Sequence, residues 1–174
     1  MNSWDTNLSE GSGEGEANDR YLIFKMGGDL YAVPLLEILE VIEPMPAQSI
    51  PNTQPHFTGL INVRGRIYFV VDFRIKFNLK TASQEGKPAF LLYQEGTSFF
   101  AMAVDVVTSV MKIPNEDIDI NSNIVNNKNL GFIRGIAKAT HKIISVLNMK
   151  ELFKDEIFTN DQNLEFLVPK QSAA

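Results

Sequence analysis

The stretch GLINVRGRIYFVVDFRIKF, Gly59–Phe77, recurs in pattern as GIAKATHKIISVLNMKELF, Gly135–Phe153. The two segments align without a gap. Gly59 meets Gly135, Ile67 meets Ile143, Val70 meets Val146 and Phe77 meets Phe153. Upstream of each lies a second matching pair, YLIFKMGGDLYAVPLLEILEVI at 21–42 and FLLYQEGTSFFAMAVDVVTSVM at 90–111. Two long ungapped registers in the same order indicate a duplicated unit of about 60–70 residues.

Working outward, YLIFKMGGDLYAVPL reads as two strands joined at Gly27-Gly28, a hairpin signal. LLEILEVIE then carries Leu35, Leu36, Leu39 and Ile42 at helical spacing, with Glu37 and Glu40 opposite. This predicts a short helix leading into a strand. Pro44, Pro46, Pro51 and Pro55 make the next segment an irregular crossing, because proline fixes φ and removes a donor. Strands return in 59–73. A sheet this small must hide its edges, and closure does so. The expectation is a mainly β fold of two small β-barrels related by approximate two-fold symmetry, with short helices.

Residues 1–19 are Gly-, Ser- and acid-rich and cannot bury enough apolar surface to offset ordering entropy, so a disordered tail is expected there. The expected domain spans 20–154 as two intertwined barrel subdomains, with repeat copies at about 20–80 and 88–154. A C-terminal extension, 155–174, includes NLEFLVPKQSAA, expected to add a short closing element.

The 174-residue chain is 44% hydrophobic, enough for a packed core. Its net charge of −5 argues against nucleic acid, which usually selects a basic surplus. The absence of cysteine excludes disulfides, thiolate metal ligation and a cysteine nucleophile, and it suits a reducing cytoplasm. No apolar run approaches the roughly 20 residues of a membrane helix, and no basic region followed by an apolar core suggests a secretory signal.

Motifs for chemistry are weak. Asp117, Asp119, Asn121 and Asn123 alternate like calcium ligands, yet Ser122 and Lys128 stand where the loop needs Gly and Glu. His56 and His141 lack metal-ligand spacing and are expected to be solvated, His141 in a turn. There is no GxSxG elbow and no phosphate-cradling Gly-rich loop. Asp72 and Asp105 follow apolar runs, where a carboxylate caps a turn or meets an arginine. No catalytic, metal or cofactor residues are expected.

Arg64 and Arg66 flank Gly65 inside an otherwise apolar run. Arg66 reads as an ordinary hairpin charge. Asn62 and Arg64 alternate with Ile61 and Val63, which predicts a strand face turned away from the apolar residues. A guanidinium beside hydrophobic rims is a common interface anchor. The second copy has Thr140 and His141 where the first has Arg64 and Gly65. The copies share a core pattern and differ at this tip, which marks Arg64 as a partner contact.

The blocks FxLxxxxYAxPLxxIxEV, GLINVRGxIxxVVDFRxKF, FxMAVDxVxxVxxI and GxxxxxxxIIxVLxxxxLF resemble, in order, those of the CheW-like domain, over about Tyr21 to Phe153. The resemblance implies two five-stranded SH3-like barrels around a shared core. It implies an adaptor without enzymatic activity, cytoplasmic and associated with membrane-bound receptor arrays. Its partners would be chemoreceptor cytoplasmic tips and the regulatory domain of the histidine kinase CheA. The protein-binding positions it carries over are Ile38, Glu40, Gly59, Asn62, Arg64 and Val110, with an apolar groove between barrels receiving the receptor tip. Phe69 and Asn148 depart from the family pattern, which usually has Pro and Asp there. Alternatives are a CheW-like adaptor in another pathway such as twitching motility, a β-barrel nucleic-acid module, and an enzyme with a cryptic site.

Overall fold

The computed structural model describes residues 18–80, 86–120, 130–139 and 141–156. The body of the expected tail, residues 121–128 of the loop weighed as a calcium site, Thr140, and NLEFLVPKQSAA lie outside them. The chain is mainly β. The first copy gives β1 (Arg20–Met26), β2 (Asp29–Pro34), β3 (Ile38–Ile42), β4 (Phe57–Val63), β5 (Arg66–Val71) and α1 (Phe73–Lys76). The second gives β6 (Ala89–Glu95), β7 (Ser98–Val104), β8 (Val106–Lys112), a short β9 (Ile118–Asp119), β10 (Ile133–Ala139), β11 (Lys142–Leu147) and α2 (Met149–Phe153). Under the two sequence registers, β1 falls on β6, β4 on β10 and β5 on β11, end on end. The duplication is therefore structural as well as sequential.

Pairing does not follow the copies. One sheet runs β8-β1-β2-β11-β10-β9 and the other β3-β6-β7-β5-β4. Each holds the first hairpin of one copy, flanked by the third strand and the last hairpin of the other. The hairpins meet in parallel, β2 against β11 and β7 against β5. Each copy exchanges strands with its mate, so neither sheet belongs to one copy alone.

The cores repeat this exchange. Tyr21, Ile23, Ala32, Ala137, Ile144 and Val146 share a core on the first sheet. Their repeat mates Phe90, Leu92, Ala101, Ile61, Tyr68 and Val70 share the equivalent core on the second. A third, larger core lies between the sheets, drawing Leu22, Phe24 and Val33 from one and Leu91, Phe100 and Met102 from the other. Phe153 of α2 is fully buried there, with ring centroids 4.7 Å from Phe100, 5.0 Å from Tyr93 and 5.1 Å from Phe73 of α1. Burial of such aromatic surface dominates core energetics, and here it welds the two sheets together.

The predicted helix at LLEILEVIE shrinks to one 3-10 turn, Leu35–Glu37, before β3 begins. Ile38 pairs with Tyr93 and Glu40 with Leu92, so Leu39 is an extra residue in the ladder. Such a bulge breaks the strand's two-residue period, which is why the segment imitates helical spacing.

Candidate partner-binding site

The β4–β5 hairpin closes with two residues. Val63 pairs with Arg66, and both residues between them are left-handed, Arg64 at φ 52° and Gly65 at φ 84°. That is the turn whose twist matches the flanking strands, and it favours Asn or Gly at the place Arg64 occupies. The expectation that Arg64 lies on a strand face is thus corrected, since β4 ends at Val63. Asn62 does lie exposed on the strand, and its Oδ1 accepts from the Gly65 N–H at 2.8 Å, pinning the turn.

From this tip Arg64 reaches β3. Its two terminal nitrogens donate to the Glu40 carboxylate at 2.5 and 2.8 Å, a two-pronged pair. β3 and β4 are the opposite edges of their sheet, so this pair spans the seam where the sheet curls upon itself. The Arg64 bond holds the Glu40 carboxyl below its ordinary value. Arg64 is 75% exposed, and exposed ion pairs add little to stability. Arg66 covers the Phe99 ring at 4.4 Å.

The other expected residues separate. Residues opposite one another in a ladder share a face. Ile38 lies opposite Tyr93, and Val110 on β8 lies opposite Leu22. Tyr93 and Leu22 both belong to the shared core. Ile38 and Val110 therefore stand on edge strands of different sheets, Ile38 partly buried against that core and Val110 48% exposed. Val41, the repeat mate of Val110, lies opposite the core residue Leu91. Gly59 is explained by backbone. Its φ is 146°, and a Cβ there would sit 2.5 Å from the carbonyl oxygen of Gln48, which bridges to Leu60.

Asp72 and Asp105 both meet an arginine. Asp72 caps α1 and binds Arg74. Arg74 also donates to the buried Asp105, whose other oxygen accepts from the Gly27 N–H at 2.7 Å. The Arg74 guanidinium is raised well above its ordinary value, chiefly by the Asp72 bond. His141 is an exposed turn residue at φ 66°, as expected. His56 is not solvated: it is 8% exposed and its Nε2 lies 2.9 Å from Glu156 Oε2. Glu156 also accepts from Lys76, so long-range pairing after α2 covers a histidine that local sequence left open. Among the described residues no cluster of His, Asp and Glu could hold a metal, and no helix is long and apolar enough to cross a membrane.

Sequence reasoning overlooked a groove beside β3, of about 380 Å³, lined by Leu36, Glu37, Leu39, Tyr93, Gln94 and Gly96. Leu36 and Leu39, expected at helical spacing on one side of a short helix, stand instead on the 3-10 turn and on the bulge of β3 and are 65% and 49% exposed. Nothing local signals this, since the bulge that expels Leu39 forms only against β6.

The comparisons with known proteins agree with this architecture. The sequence profile of the CheW-like domain matches residues 20–156. The chain is 28% identical to "Chemotaxis protein CheW" of Helicobacter pylori over 138 residues, covering 79% of this chain and 82% of that one. It is 24% identical to "Probable chemotaxis protein CheW" of Rhizobium etli, covering 79% and 89%. The solved structure of the scaffolding protein TtCheW from Thermoanaerobacter tengcongensis superposes with a TM-score of 0.72 at 23% identity, covering 83% of this chain and 94% of that one. With a profile match across both repeat copies, this chain belongs to the CheW-like domain family of chemotaxis scaffold proteins.

Proposed function

We propose that the protein is a chemotaxis adaptor coupling the cytoplasmic tips of chemoreceptors to the regulatory domain of the histidine kinase CheA. In this reading it works in the cytoplasm, at membrane-bound receptor arrays, and it makes and breaks no covalent bonds. Residues 20–154 would form the coupling domain, flanked by an N-terminal tail and a C-terminal extension. Family membership supports the pathway. The observation that carries the contact is the exposed Arg64–Glu40 pair. It uses a charged residue at a left-handed position, where local energetics would prefer Gly or Asn. Strain of that kind points to function when observed directly. Ile38 and Val110 would supply apolar rims, Asn62 would hold the tip in shape, and Gly59 would act through the backbone.

The test is retention of the full chain on an immobilised receptor signalling fragment and, separately, on a CheA regulatory domain. Specific capture by both supports coupling, and capture by neither ends this reading.

A further inference from the structure

Val110 stands in a patch whose charge its repeat mate lacks. It is exposed on β8, the outer strand of the first sheet. The ladder sets Leu22 opposite Val110 and Arg20 opposite Lys112. Residues two apart on a strand share a face, as do residues opposite one another. Arg20 and Lys112 therefore stand beside Val110 on one face, and both are exposed. Neither has an ion pair or a side-chain hydrogen bond among the described residues. On the other sheet the repeat mates of Val110, Lys112 and Arg20 are Val41, Glu43 and Ala89. Val41 is 43% exposed, yet the charge that accompanies it is an acid.

An exposed valine beside two unpaired cations suits an acidic segment that brings an apolar side chain. The chain supplies one at this place. Residues 1–17 hold Asp5, Glu10, Glu14 and Glu16 and no Lys, Arg or His, and they include Trp4 and Leu8. The segment joins the fold at the patch, where the Asp19 carbonyl accepts from the Ile113 N–H at 2.8 Å, one residue beyond Lys112. Trp4 is fifteen residues before Asp19, a reach of roughly 20 Å as a flexible coil. Val110 is only about 7 Å along β8 from Lys112. Such a tether gives an effective concentration in the millimolar range, so a weak contact suffices. Only the anchoring side chain need be ordered, which keeps the entropy cost small. We propose that residues 1–17 dock on the Val110 face of β8, with Trp4 against Val110 and the acidic side chains around Arg20 and Lys112. The tail then competes with whatever partner uses Val110. That competition rests on the coupling function above, and the docking does not.

Trp4 is the only tryptophan in the chain, so fluorescence quenching by acrylamide reports on the tail in the full-length protein. At low salt Trp4 is expected to be shielded. Three changes should each raise its quenching constant by about twofold, as the attraction is screened or removed. They are about 1 M NaCl, the double variant Arg20→Glu with Lys112→Glu, and the triple variant Glu10→Gln, Glu14→Gln and Glu16→Gln. The triple variant alters only the tail, so its melting curve should match the wild type. Val110→Ser should also release Trp4. Equal quenching of Trp4 in the wild type and all the variants would overturn the docking. Shielding that disappears on dilution would assign the patch to the tail of a second copy and overturn the chosen occupant. Capture of a receptor signalling fragment or a CheA regulatory domain should tighten by about two- to threefold in the triple variant, since the docked fraction no longer withholds the site. Unchanged capture with Trp4 released would overturn the competition alone. A wild-type chain that binds neither partner would end the coupling function and leave the fluorescence result standing.

Discussion

Arg64 shows how little a residue's contact reveals about its purpose until exposure is weighed. Its pair with Glu40 is geometrically good, yet Arg64 sits in water. Arg64→Ala is expected to move the melting temperature by no more than about 2 °C while weakening partner capture, read by thermal melting and retention on the two fragments. The sign of the pH response follows from Glu40, whose folded-state carboxyl lies below its ordinary value of 4.5. The pair is fully present above that value and is lost as pH falls through the depressed one. An NMR titration of the Glu40 carboxyl should show its midpoint move upward in Arg64→Ala. An unmoved midpoint would mean that the pair does not persist in solution. Gly59 has the opposite character. A methyl group there would meet the Gln48 carbonyl at 2.5 Å on a backbone that alanine resists. Gly59→Ala should destabilise the fold by about 2–4 kcal/mol, measured by denaturant unfolding, with any loss of binding following from loss of fold.

At the scale of elements, the two copies solve one problem in two ways. The short helices α1 and α2 both begin after a strand with a side-chain cap, Asp72 in the first and Asn148 in the second. Only the first adds Arg74, which joins its own cap to Asp105 between β7 and β8, and through Asp105 to the β1–β2 turn. Breaking a buried pair by removing one partner strands the other charge. Arg74→Met should therefore cost about 3 kcal/mol or more, seen as an earlier denaturant midpoint, because Asp105 is 4% exposed. A variant as stable as the wild type would show that Asp105 finds another donor.

At the scale of the molecule, strand exchange makes the copies interdependent. A chain of 1–80 would keep the hairpins β1–β2 and β4–β5, which belong to different sheets, but lose the strands of the other copy that complete each sheet, and likewise for 86–174. Separate fragments are expected to lack native circular dichroism and to recover it when mixed, and the intact chain should unfold in one cooperative step. A fragment that folds alone would contradict the exchange.

The sequence by itself determined the strands, the duplication and the family. Alternating and apolar runs fix which residues can be buried, and a repeated pattern survives low identity because both copies bury the same positions. The paired roles of Asp72 and Asp105 with an arginine were also legible, since a carboxylate at a strand end has few neutral options. Tertiary structure alone decided which copy pairs with which, because hydrogen-bond partners along a strand are interchangeable until packing chooses among them. It turned Leu39 outward, through a bulge that exists only against β6, and left Leu36 exposed on the 3-10 turn before it. It also buried His56 under Glu156 from the far end of the domain, and carried Arg64 across a seam to Glu40. Those contacts join residues distant in sequence, and no local pattern encodes a long-range meeting.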